Sequence, residues 1–424
     1  MFVGRVDEVE SLETALIQTT ADSPTHFMIT GERGIGKTSL LLYVKFLAKG
    51  AIPLDNGTKF NFLIIDLDID ANSTQRGLIQ RIASRLESEL GQSEPAREFF
   101  KKAWAFLQRL RIMDSGIEAT TLNSPPDELL LDQFAASLAE TTARICTLDP
   151  TSSSCATQHD GILILIDEAD NSSAELGLGS FLKLLLERLQ RSSCNRVLIG
   201  LAGLPDLRTK LYASHPSSVR IFQELPLDRL PHDEISRVID LCIHRANQHN
   251  TDKLTITPDA KQALASLSEG FPHFIQQFGF SAFARDTDNI LDINDVNVSA
   301  FGRGGALEII GDRYYRHDFY NKIQKESYRQ VLRIMADDLD SWVPRSKIRE
   351  KFKGNNGTLN NAIKALRDRH IILSKEGEKG IYRLQHKGFA LWIKLHTGTE
   401  ATASKSTATN PQSGTAPSQG TQSS

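Results

Sequence analysis

Cysteine is scarce in this sequence. The 424 residues hold four, Cys146, Cys155, Cys194 and Cys242, without C-x-x-C spacing and without a clustered set of histidines. A zinc site or a disulfide framework is therefore not expected, and reduced thiols are. Long apolar runs are lacking too. No uninterrupted stretch approaches the ~20 residues that cross a bilayer, and the first residues lack a basic-then-apolar signal, so a cytoplasmic protein without a membrane partner is the expectation. Charged residues are not in excess at 24%, and with 40% hydrophobic residues the composition is that of an ordinary folded chain. The length exceeds what one hydrophobic core usually organises, which points to two or three domains.

Residues 31–38 read Gly-Glu-Arg-Gly-Ile-Gly-Lys-Thr, matching G-x-x-x-x-G-K-[ST] at every fixed position. Gly31, Gly34 and Gly36 let backbone N–H groups turn inward around phosphates. Lys37 supplies a cation at the β- and γ-phosphates, the Thr38 hydroxyl can ligate Mg²⁺, and Ser39 continues the cradle. Residues 26–30 before the loop read as a buried strand and residues 39–48 after it as an apolar helix, the geometry that aims a helix N-terminus at an anion. ATP with Mg²⁺ is the expected ligand; the bland alternative is a glycine-rich turn.

A second strand is expected over 60–67, helices over 74–90, 95–113 and 125–148, and a surface loop over 151–159. Residues 161–170, Gly-Ile-Leu-Ile-Leu-Ile-Asp-Glu-Ala-Asp, form an apolar strand that ends in carboxylates. Asp167 stands where a carboxylate holds Mg²⁺ or its water, and Glu168 could polarise the water that attacks the γ-phosphate. A strand ending in a polar turn is the alternative. A helix over 181–190 and a strand over 196–202 complete an alternation that argues for a parallel sheet with helices on both faces, the α/β P-loop NTPase class. From about residue 230 to 300 strands stop and helices dominate. Past residue 397 the Ser, Thr, Gly, Gln and Pro composition cannot bury enough surface to fold.

The net charge of −3 hides an asymmetry. Between residues 321 and 398 there are about seventeen Lys and Arg against about eight Asp and Glu, roughly +9, which leaves roughly −12 elsewhere. In that basic stretch helices are expected over 327–335, 342–352 and 357–370, then strands over 371–374 and 380–384. Three helices followed by a β-ribbon is the winged-helix plan, whose third helix enters the major groove of duplex DNA. Here it would carry Asn360, Asn361, Lys364, Arg367 and Arg369; Asn and Arg suit base edges and Lys suits phosphates. A winged helix that packs on protein is the alternative.

Together, Phe2-Val-Gly-Arg, the 31–38 loop and Leu-Ile-Asp-Glu-Ala-Asp at 165–170 resemble the AAA+ ATPases of the origin-recognition and replication-initiator branch, with similarity also to transposition ATPases. The resemblance implies an ATPase base domain over 1–229, a helical lid over 230–300, a linker over 301–318, a winged helix over 319–397 and a disordered tail over 398–424. It further implies Val3 and Gly4 along the adenine, ATP-dependent homo-oligomers, and an arginine supplied in trans, with Arg220 the candidate and Arg208 its competitor. Two departures are visible. Ala-Gly-Leu-Pro at 202–205 offers no polar γ-phosphate sensor, and His273 replaces the lid arginine, in Gly-Phe-Pro-His at 270–273. Pro272 is also reminiscent of signal-transduction ATPases of the STAND class, whose proline lies near the adenine. A STAND-like switch with a protein-packing winged helix is the rival reading, and a regulator of a mobile element or defence system a third.

Overall fold

The computed structural model describes residues 4–90, 102–105, 127–147, 158–316, 318–339, 341–369, 371–375 and 377–397. Val3 and the tail over 398–424 lie outside these residues, as do most of the helix expected over 95–113 and of the loop over 151–159. Two compact units divide the described residues, one within Met1–Glu234 with Phe271–His273, the other within Ile235–Gly270 with Phe274–Ser424. Among the described residues no helix is long and apolar enough to cross a membrane.

The first unit runs α1 (Val6–Thr20), β1 (His26–Gly31), α2 (Lys37–Ala48), β2 (Phe62–Asp68), α3 (Gln75–Leu90), α4 (Asp127–Cys146), β3 (Gly161–Asp167), α5 (Leu178–Arg191), β4 (Val197–Gly203), α6 (Leu207–Ser214) and β5 (Phe222–Leu227). Its five strands lie in the order β2-β3-β4-β1-β5 and all pair in parallel. Every residue of β1 and β4 is buried, as are the first six of β3, so the apolar runs are central strands covered on both faces. Each fully buried Leu or Ile contributes about 1.5–3 kcal/mol. β5 was not expected. It mixes buried and exposed residues without strict alternation and contains Pro226, both tolerated because it is an edge strand.

The second unit opens with α7 (His232–His249), whose first residues cluster with the first unit, followed by β6 (Thr255–Ile256), α8 (Pro258–Ser268), α9 (Pro272–Phe283), β7 (Ile290–Leu291) and α10 (Ile293–Phe301). Strands were expected to stop here, yet β6 and β7 pair in parallel; two residues each are too few to give a periodic signal. Asp292 caps α10 by accepting from the Asn294 and Asp295 amides, and Asp295 reciprocates at the Asp292 amide, a capping box. The segment 301–318, expected as a linker, contains α11 (Ala306–Ile310) and a π-helical turn over Gly311–Tyr315, with Leu307, Ile310 and Tyr315 buried.

Beyond it come α12 (Glu326–Ala336), β8 (Val343–Pro344), α13 (Arg345–Lys351), α14 (Asn356–Asp368), β9 (Ile372–Ser374), β10 (Ile381–Leu384) and α15 (Lys387–His396). Strand β10 pairs antiparallel with both β8 and β9. Helix α15 was not expected. Its Phe389 and Trp392 pack on Tyr315 and Phe319, with ring centroids 5.1 Å apart for Tyr315–Phe389 and 5.7 Å for Phe319–Trp392. A Glu269 oxygen accepts from the Gly388 amide at 2.6 Å, so a carboxylate from the α8–α9 connection closes the N-terminus of α15.

His26, at the start of β1, is buried, and its Nδ1 accepts from the Ile199 amide at 3.1 Å. Burial brings its pKa down from 6.5 to about 4, so the folded state resists the proton that the unfolded state takes up. The stability this preserves is complete above about pH 6.5 and is lost as pH falls toward 4. Between pH 7 and 5 the loss should be about 2 kcal/mol. Urea unfolding at both pH values should show His26→Gln losing less than the wild type by that amount; equal losses would refute the assignment.

Candidate functional site

The first candidate site gathers at the carboxyl ends of the parallel strands, where open α/β sheets bind ligands. Residues 31–36 leave β1 and turn into α2 with Gly34 at φ 80° and Gly36 at φ 106°, left-handed values that suit glycine. A Cβ on Gly31 would lie 2.8 Å from Ile35 Cγ2 and 3.0 Å from the Leu227 carbonyl. The loop is thus compact, and the N–H groups of the first turn of α2 face into it. Lys37 Nζ donates to the carbonyls of Gly31 at 2.8 Å and Glu32 at 2.9 Å. Burial pulls the Lys37 pKa below its ordinary value, partly offset by the negative charges of Asp170 and Asp167.

Thr38 Oγ1 donates to Asp167 Oδ2 at 2.7 Å, and the Glu168 amide donates to Asp167 Oδ1 at 2.8 Å. The phosphate-loop helix and the acidic strand end therefore meet through one hydroxyl and one carboxylate, two oxygen ligands of the kind Mg²⁺ takes. Among the described residues no group of three or more His, Cys, Asp or Glu could hold a metal by itself. Glu168 is exposed with φ 49°, and one of its oxygens accepts from Asn171 Nδ2 at 3.1 Å. Ser39 lies exposed in the first turn of α2.

Three residues join this site that the sequence did not single out. Asp170 is buried, and its Oδ1 accepts from the Leu204 amide at 3.0 Å while Lys210 reaches its carbonyl. A side chain on Gly203 would come within 2.8 Å of the same oxygen, so Asp170 closes on the end of β4 where no polar sensor side chain stands. Arg5 is buried; its guanidinium donates to the carbonyls of Asp228 and, at 3.4 Å, Ile35. Arg229 stacks on Phe271 at 4.9 Å and comes within 4.0 Å of Glu32 in the loop. None of these contacts has a sequence signature, because each depends on partners far along the chain.

Gly4 has φ 73°, and a Cβ there would strike the Glu234 carboxylate at 2.2 Å. Pro272 begins α9 beside His273, its Cγ 3.8 Å from where a Gly36 Cβ would stand, so this proline borders the loop. Arg208 is paired with Glu224 at 2.6 Å. Arg220 is exposed on a short 3-10 turn over Ser218–Arg220 and, among the described residues, has no ion-pair partner.

Residues 20–211 match the family model described as AAA domain. This segment is an AAA domain. The whole chain shares the fold of the Aeropyrum pernix ORC2 protein in its ADPNP–ADP complexes, at 14% identity, 96% coverage of each chain and a TM-score of 0.53. Weaker likenesses, both at a TM-score of 0.42, are the Aeropyrum pernix ORC1 protein in complex with DNA, at 15% identity over 96% of this chain and 95% of that one, and a Thermotoga maritima RuvB mutant, at 12% over 92% and 94%. No curated protein matches the sequence. The AAA domain thus carries the phosphate loop, Asp167 and Glu168 on the five-stranded parallel sheet of the AAA+ fold.

The second candidate site is the basic face around α14. Asn360, Asn361, Lys364 and Arg367 are exposed on this helix, while Leu359, Ala362, Ile363 and Leu366 are buried. Arg369, expected on the helix, falls just past its end, because α14 stops at Asp368. Lys347 and Lys351 are paired with Asp338 and Asp337 at 2.7 and 2.9 Å, and Arg367 lies 3.9 Å from Asp368, so on α14 itself Lys364 is the cation that no carboxylate among the described residues meets.

Asp170 offers a direct test of the latch on β4. Asp170→Ala should leave the half-buried Leu204 amide without its charged acceptor and cost about 1–3 kcal/mol in denaturant unfolding. Asp170→Asn, which keeps an acceptor, should lose less.

Proposed function

We propose that the chain binds Mg·ATP at residues 31–39 and hydrolyses it, and that nucleotide state governs self-association and duplex DNA binding. The observation that carries this reading is the Thr38 hydroxyl resting on the Asp167 carboxylate at 2.7 Å beneath a complete phosphate loop. Thr38 and Asp167 would hold Mg²⁺, which supplies charge neutralisation at the β- and γ-phosphates when bound. Lys37 exchanges its two carbonyl partners for phosphate oxygens and stabilises charge that develops there. Glu168 accepts the proton of the attacking water through the oxygen that Asn171 leaves open. Val3, Gly4, Pro272 and His273 border the nucleotide in this reading, and Arg220, engaged by no local carboxylate, serves a neighbouring subunit in preference to Arg208.

In the same reading residues 230–300 act as a lid. Residues 319–397 form a winged helix, with α14 as the helix that meets DNA and the β9–β10 hairpin as the wing. The order helix, strand, helix, helix, strand, strand supports it, as does the charge on α14. The nucleotide half agrees with the Aeropyrum pernix ORC2 protein, whose fold the chain shares and which is itself seen in ADPNP–ADP complexes. A STAND-like switch is the second reading. It draws on Pro272 beside the loop and on the lack of a polar sensor at 202–205, features that favour slow turnover.

Lys37→Ala should abolish binding of a fluorescent ATP analogue. Glu168→Gln should retain binding and lower turnover about 100-fold or more, within the range a general base contributes; persistent turnover would remove Glu168 from the chemistry. Replacing Lys364 and Arg367 by Glu should weaken duplex binding and leave nucleotide affinity unchanged. It should also flatten the slope of log affinity against log salt by about 0.9 for each phosphate that is no longer neutralised. A chain that shows no salt-dependent duplex binding at all would move the switch reading to first place.

A further inference from the structure

Arg345 begins α13, and its side chain crosses to α14. Its Nε and Nη2 donate to Asn360 Oδ1 at 3.1 and 2.8 Å, and Nη2 approaches Asn356 Oδ1 at 3.5 Å. Its own amide donates to the Gly380 carbonyl at 2.8 Å, at the start of the β9–β10 hairpin strand. The residue is half-buried, and no carboxylate among the described residues pairs with it. We propose that Arg345, held by Asn360, is a guanine-reading residue of this module, an inference that rests on the DNA reading above.

The chemistry follows from donor geometry. Arginine only donates, so Asn360 must present its carbonyl oxygen to it, and the orientation of that amide is set by the contact. An Asn that reads adenine needs both its oxygen and its amide nitrogen free for the base edge. The Asn360 oxygen is already engaged, so Asn360 acts as a positioning residue, contrary to the base-reading role expected for it. The guanidinium, in turn, has one side engaged by Asn360, while Nη1 is open and the long Nη2 contact to Asn356 at 3.5 Å is the one a base displaces to complete the end-on fork. That fork matches guanine O6 and N7 in the major groove. A guanidinium already fixed to the helix surface loses little rotamer freedom on binding, which is where a loose surface arginine would forfeit affinity. Fixation on α14 and on the hairpin strand also sets it apart from Lys364, a flexible point charge suited to phosphate.

The test uses the full-length chain. Duplexes are selected from a randomised pool by the wild type, and affinities for the enriched duplex and a scrambled one are measured by fluorescence polarisation. The enriched duplex should carry a fixed guanine. Arg345→Ala should lower affinity for it by on the order of 10- to 100-fold, with much less loss on the scrambled duplex. Arg345→Lys, which keeps the charge and loses the fork, should preserve scrambled binding and lose selectivity. Asn360→Ala should reduce selectivity in the same direction, and the double variant Arg345→Ala with Asn360→Ala should be no worse than Arg345→Ala alone. Retained thermal unfolding of the Lys variant controls for folding. Equal losses on both duplexes, full selectivity in Arg345→Lys, or a pool enriched for no sequence would overturn the guanine role while the DNA reading stands. No salt-dependent binding of the wild type to any duplex overturns both.

Discussion

One hydrogen bond organises the phosphate-loop end of the first unit: Thr38 on Asp167, across a sheet in which their strands are not neighbours. The order β2-β3-β4-β1-β5 puts β4 between the loop strand and the acidic strand. Thr38 can reach Asp167 only if nothing bulky rises from the end of β4, and that end is Ala202 and Gly203. The missing side chain at Gly203 also admits Asp170, whose carboxylate binds the Leu204 amide. The same small residues that remove a polar sensor from this position therefore allow a different latch between the acidic loop and β4. The departure from the family pattern and the compensating contact have one structural cause.

The sequence made legible those features that are local. The phosphate loop, the central strands and the helices of the basic module are visible because periodicity, glycines and turn residues lie within a few positions of one another. β5 was missed because an edge strand with Pro226 lacks both an apolar run and clean alternation. Helix α15 was missed because its aromatic residues declare their purpose only when packed on Tyr315 and Phe319. Arg5 and Asp170 stand in the sequence as members of the 2–5 and 165–170 motifs with no contact assigned to them, and Arg229 carries no local signal. Their contacts span from 30 to 223 positions along the chain in the cases of Asp170 and Arg5, and no local pattern encodes such a distance.

Charge behaves likewise. The excess of Lys and Arg after residue 321 is plain in composition, yet composition does not say which charges are already paired. Arg333 pairs with Glu326, Lys347 with Asp338 and Lys351 with Asp337. These exposed pairs add little stability, but they take positive charge out of play on α12 and α13. Arg367 on α14 is likewise within 3.9 Å of Asp368, while Lys364, Arg345 and Arg349 meet no carboxylate among the described residues. Local neutralisation thus thins a diffuse basic region to a few cations, and the Asn360 contact holds one of its arginines in a fixed geometry.

The nucleotide site faces the opposite electrostatic problem. Around Lys37 the carboxylates of Asp170, Asp167 and Glu168 all act on one half-buried ammonium. On the proposed reading, a triphosphate entering this pocket adds several negative charges to a cluster that already holds three. Lys37 cannot offset them alone, since at an effective dielectric of about 20 each like-charge pair 4 Å apart costs about 4 kcal/mol. A divalent cation between Thr38 and Asp167 resolves the conflict at its source, because it neutralises Asp167 and the phosphates together. On that reading, the acidic surroundings that would repel free ATP select for the magnesium complex.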